Sequence, residues 1–60
     1  MITRMVYQEC KRMAEIDRMD EREWRVWITD GRTAQTVFRR SLTSAQSTAR
    51  TFLQTGRFPR

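Results

Sequence analysis

Residues 22–42 leave room for little other than a β-hairpin. Trp24, Val26 and Ile28 alternate with Glu23, Arg25, Trp27 and Thr29, which is the two-residue period of a half-buried strand. Asp30-Gly31 follows as a turn signal, and a second run from Arg32 to Arg40 brings the chain back. Loop length decides which residues share a face. A two-residue Asp-Gly loop groups Trp24, Val26 and Ile28 with Thr33, Gln35 and Val37. A three-residue loop, Thr29-Asp30-Gly31 with a left-handed Gly31 in a G1 bulge, groups them with Ala34, Thr36 and Phe38. The second set makes the better core, so the three-residue loop is expected.

Elements on either side of the hairpin follow from periodicity. Ile2, Met5, Val6, Cys10, Met13 and Ile16 recur at three- and four-residue steps. That spacing predicts an amphipathic helix over residues 2–19, with Arg4, Gln8, Lys11, Arg12, Glu15 and Arg18 on its far side. Ile, Thr, Val and Tyr also suit a pleated surface, so the alternative is a strand over residues 2–8. A second helix is expected over residues 44–55. Thr43 is its N-cap with Gln46 completing a capping box, and Ala45, Ala49, Phe52 and Leu53 form its apolar stripe. Gly56 suits the left-handed residue that stops it, Pro59 bars continuation, and Phe58 is expected to fold back as a plug.

The resulting expectation is one α+β domain spanning residues 1–60, in the order α-β-β-α. The alternative order is β-β-β-α. Its core would hold Trp24, Val26, Ile28, Phe38, Leu42, Ala49, Phe52 and Leu53, with the first helix closing one side. A chain of 60 residues buries only about 60% of the surface its unfolded form exposes, so it has little stability to spare.

Composition excludes several kinds of chemistry. There is no His, so serine-nucleophile machinery lacks its usual base and zinc lacks its usual ligands. Two glycines, Gly31 and Gly56, make no phosphate loop. A single Cys10 makes no internal disulfide and is expected to be a core thiol in a cytoplasmic chain. Apolar runs stop at two or three residues, too short to cross a membrane. The expectation is therefore a protein that is not an enzyme and needs no cofactor or metal.

Charge is what remains to suggest a partner. Residues 1–30 hold six basic and seven acidic side chains, whereas residues 31–60 hold Arg32, Arg39, Arg40, Arg50, Arg57 and Arg60 and no acid at all. Arginine supplies 11 of the 12 basic residues, which favours forked contacts to phosphates, carboxylates or guanine edges. With Trp24, Val26 and Ile28 inward, the outward face of the hairpin carries Arg25 and Trp27 on one strand and Gln35, Val37 and Arg39 on the other. Arg32 and Arg40 flank it. A two-stranded ribbon fits the major groove, where Arg forks onto guanine and Gln onto adenine. Arg25, Trp27, Arg32, Gln35, Val37, Arg39 and Arg40 are thus the candidate nucleic-acid contacts.

The run Trp24-Arg25-Val26-Trp27-Ile28-Thr29-Asp30-Gly31, then Thr36-Val37-Phe38, then Thr43 to Leu53 with Ala45, Ala49 and Phe52, resembles the strand–turn–strand–helix of AP2-like domains. The arm-type DNA-binding domains of phage and transposon integrases share that layout, and the resemblance covers residues 22–55. It implies three strands before the helix, a sheet face that enters the major groove, and a mobile-element setting. Arg25, Trp27, Gln35, Val37 and Arg39 are the positions that match by geometry. The expected function is a small basic DNA-binding accessory protein with duplex DNA as partner. The alternative is a protein-binding module, such as a small inhibitor or adaptor of a larger host enzyme, seated on an acidic protein surface. A homodimer is compatible with both.

Overall fold

A computed structural model describes residues 4–59. Four strands precede one helix: β1 (Arg4–Glu9), β2 (Arg12–Asp20), β3 (Glu23–Thr29), β4 (Ala34–Arg39) and α1 (Leu42–Thr55). The strands form an antiparallel meander in the order β1-β2-β3-β4, and α1 packs on one face of it. The expected order α-β-β-α is therefore corrected to β-β-β-β-α. The alternative β-β-β-α was short by one strand, because two strands, not one, precede the central hairpin. Ile2, placed at the start of the expected helix, lies outside the described residues.

The register explains why no N-terminal helix forms. Met5 pairs with Ile16 and Tyr7 with Ala14, all facing α1, whereas Val6 and Met13 lie on the opposite pleat and Cys10 sits in the turn. The apparent helical stripe is thus divided between two faces. Internal strand β3 needs backbone partners on both sides, and β2 supplies one of them. Ala14 and Ile16 become fully buried in the process. Ladder and burial together outweigh the helix propensity of a segment rich in Arg, Met, Glu and Gln. Cys10, expected as a core thiol, is exposed at a left-handed φ of 56°.

The β3–β4 hairpin forms, but its loop differs from the expected one. Thr29 pairs with Ala34, so the loop is residues 30–33. Asp30 Oδ1 accepts from the backbone N–H groups of Arg32 and Thr33, both at 2.8 Å. Thr29 Oγ1 donates to Thr33 O at 2.9 Å and accepts from Gly31 N at 3.1 Å. This side-chain-braced turn has an even number of residues, which reverses the expected parity of β4. Val37 faces α1, 8% exposed, and Phe38 faces away, 54% exposed. Phe38 therefore leaves the expected core and Val37 enters it.

Helix α1 starts two residues earlier than expected. Ser41, not Thr43, is the N-cap, its Oγ accepting from Ser44 N at 3.1 Å. Gly56 ends the helix at φ 73°, donating its N–H to Phe52 O at 2.7 Å. Arg12 Nη1 donates to Leu53 O at 2.8 Å, which sets a cation from β2 at the negative end of the helix. Phe58 does fold back, its ring centroid 5.0 Å from that of Phe52. The buried core is Ala14, Ile16, Val26, Ile28, Val37, Ala45, Ala49 and Phe52.

Candidate nucleic-acid interface

One helix covers one face of the sheet, so the opposite face is open. Pairing places its residues in rows that run across the strands. One row is Gln8, Met13, Thr29 and Ala34; the next is Val6, Glu15, Trp27 and Thr36; the third is Arg4, Asp17, Arg25 and Phe38. Trp27 and Phe38 sit on adjacent strands, Phe38 two residues beyond Trp27's partner Thr36. That diagonal relation separates them by about 7–8 Å, within reach of large rings.

Asp17 organises the charged row. Arg25 Nη2 lies 2.7 Å from Asp17 Oδ2, and Arg4 Nε lies 2.8 Å from Asp17 Oδ1 and 3.5 Å from Glu15 Oε1. The Arg25 hydrogen bond, followed by that of Arg4, holds the Asp17 carboxyl below the usual carboxylate range. Arg25 Nε is buried and finds no hydrogen-bond partner among the described residues, so Asp17 is the group that fixes the guanidinium. Among the described residues, Glu15, Asp17, Asp20 and Glu23 stand against Arg4 and Arg25, so the open face carries four carboxylates and two guanidiniums.

A depressed carboxyl pKa stabilises the fold fully above the unfolded value of about 3.9, and that contribution is lost as pH falls through the lower folded value. Asp30 behaves alike, its carboxyl lowered by the Thr33 and Arg32 amides. Thermal melts between pH 7 and pH 2 are therefore expected to lose stability below about pH 4. Asp17→Asn should be less stable at pH 7 by roughly 1 kcal/mol, a figure kept small by the exposure of both arginines. It should also lose less than the parent chain on acidification. An unchanged acid limb would show that the clasp contributes nothing.

The structure divides the expected contact residues. Arg25 and Trp27 lie on the open face, as expected from the alternation of β3. Arg32, in the β3–β4 turn, and Arg40, past the end of β4, are both exposed. Gln35, Val37 and Arg39, expected beside Trp27, are on the helix side instead. Gln35 Nε2 donates to Pro59 O at 2.8 Å, Val37 is in the core, and Arg39 Nε donates to Thr48 Oγ1 at 3.0 Å. Phe38 and Thr36 take their place. The signal for this exchange was Asp30, an Asx-turn former whose side chain accepts from the backbone N–H groups two and three residues on and so braces a longer loop.

The acid-free half of the sequence has a definite location. It forms the edge strand β4, helix α1 and the tail, with Arg32, Arg40, Arg50 and Arg57 exposed. This flank adjoins the open face along β4, the strand that carries Phe38. Among the described residues no group of three or more acidic or thiol side chains is placed to hold a metal, and no helix is long and apolar enough to cross a membrane. Compared with protein-family models, curated proteins and solved structures, the chain finds no match to any of them.

Proposed function

We propose that this protein is a small nucleic-acid-binding accessory module, with DNA as its target and the open sheet face as its contact surface. The observation that supports this reading is the contiguity of an acid-free arginine flank with an uncovered face bearing Trp27 and Phe38. Phosphates would lie against the flank, where Arg32 and Arg40 stand at the two ends of β4, and bases would lie over the face. A sheet covered by a helix on one side and open on the other is also the layout that the AP2-like resemblance implies, here with four strands.

Fluorescence anisotropy of a labelled 20-residue oligonucleotide tests the proposal. If about three arginines meet phosphates, the log–log dependence of affinity on salt has a slope near −2.7 for a duplex and near −2.1 for a single strand. Raising salt from 50 to 200 mM should then weaken binding by about 20- to 40-fold. Absence of binding at 50 mM salt, or binding indifferent to salt, would remove this reading. A protein-binding module is the second reading, favoured by the pairing of both face arginines to Asp17 and by Val6, 56% exposed on the same face. A stoichiometric complex that survives nuclease treatment and moderate salt would support it.

A further inference from the structure

We infer that the nucleic acid taken by this face is single-stranded, with successive bases stacked on Phe38 and Trp27 and the phosphates along the β4 edge. The inference rests on the nucleic-acid reading above and specifies the form of its ligand.

Three observations favour unpaired bases over a groove. First, the side chains suited to reading base edges are on the wrong side: Gln35 and Arg39 face α1 and hydrogen-bond Pro59 and Thr48. Second, the only guanidiniums on the face among the described residues, Arg4 and Arg25, are held by Asp17 among four carboxylates, so a duplex docked there would bring its phosphates toward acids. Third, what the face does offer is π-surface. Phe38 is more than half exposed at the edge strand, and Trp27, half-buried, lies diagonally behind it on β3. Base–aromatic stacking needs no base-edge donors, because every base has a π-face.

The direction of approach also follows. β4 is an edge strand and belongs to the acid-free half, so a backbone running past it meets Arg32 at one end and Arg40 at the other. From that line a base reaches Phe38 first and Trp27 second. A duplex keeps its bases paired and stacked within, where neither ring can reach their faces.

The test compares a labelled 12-residue oligothymidine with a 12-base-pair duplex, both at 50 mM salt, by anisotropy. The single strand is expected to bind at least about tenfold tighter. Phe38→Leu and Trp27→Leu should each weaken single-strand binding by about 5- to 150-fold, the range for one lost stack. Phe38→Tyr, which keeps a ring, should restore it, and circular dichroism confirms that each variant is folded. Phe38 is exposed, so its variants remain informative should Trp27→Leu fail to fold. Equal or tighter binding of the duplex, or single-strand binding unmoved by both leucine variants, would overturn the inference while leaving the nucleic-acid reading intact. Binding to neither ligand would overturn both.

Discussion

Replacing Phe52 with alanine is expected to remove half or more of the chain's stability at 25 °C. Phe52 is 1% exposed, the largest fully buried side chain, and its ring packs against Phe58. Removing a buried phenyl ring typically costs about 3–5 kcal/mol, through lost burial and the cavity left behind. A domain of 60 residues has a total stability of only about 3–9 kcal/mol. Near the middle of that range, about 6 kcal/mol, this single change removes roughly half to most of the margin, and near its lower end all of it. Urea unfolding followed by far-ultraviolet circular dichroism measures it. A cooperative transition shifted by less than about 1 kcal/mol would mean that α1 is not what closes the core.

Gly56→Ala has the second largest expected effect, and its cost has two sources. At φ 73° an alanine pays the left-handed penalty of about 1–2 kcal/mol. An added Cβ would also lie 2.7 Å from Arg12 Nη2. The guanidinium can swing away, but then its 2.8 Å hydrogen bond to Leu53 O is lost, at about 0.5–1.5 kcal/mol. Together these give about 1.5–3.5 kcal/mol, or a melting temperature lower by roughly 6–28 °C. Gly31→Ala is the internal comparison. Its φ of 92° is equally left-handed, yet its Cβ would meet only Lys11 O at 3.8 Å. Gly31→Ala should therefore cost about 1–2 kcal/mol from backbone strain alone. Equal losses at the two positions would show that the Arg12 tie to the helix end has no energetic weight.

What could be read from the sequence was what local signals specify. The Asp30-Gly31 turn signal with its left-handed Gly31, the stop at Gly56 and the return of Phe58 each depend on residues within a few positions of one another, and each is present, although the loop is one residue longer than expected. Trp27 was placed correctly because its orientation follows from the alternation of its own strand. The orientation of the β4 residues depends on loop parity, and the four-residue loop reverses the face expected from a three-residue one. Residues 2–19 misled for a different reason. Ala, Met, Arg, Glu and Gln favour a helix locally, and it is the ladder with β3, a long-range pairing, that overrides them. The Asp17 clasp was out of reach altogether, since it joins residues 13 and 8 positions apart through the register of three strands.

The tie from Arg12 to Leu53 joins points 41 positions apart, so it closes only once β2 and the end of α1 lie together. Each strand pairs with its immediate predecessor, so the meander can zip up through short closures soon after each segment emerges. Helix α1, rich in Ser and Thr, has little reason to persist until that surface exists for it to lie on. Its final turn is thus held from outside the helix, by the Arg12 bond at Leu53 and by the Phe58 ring laid on Phe52, more than by its own propensity.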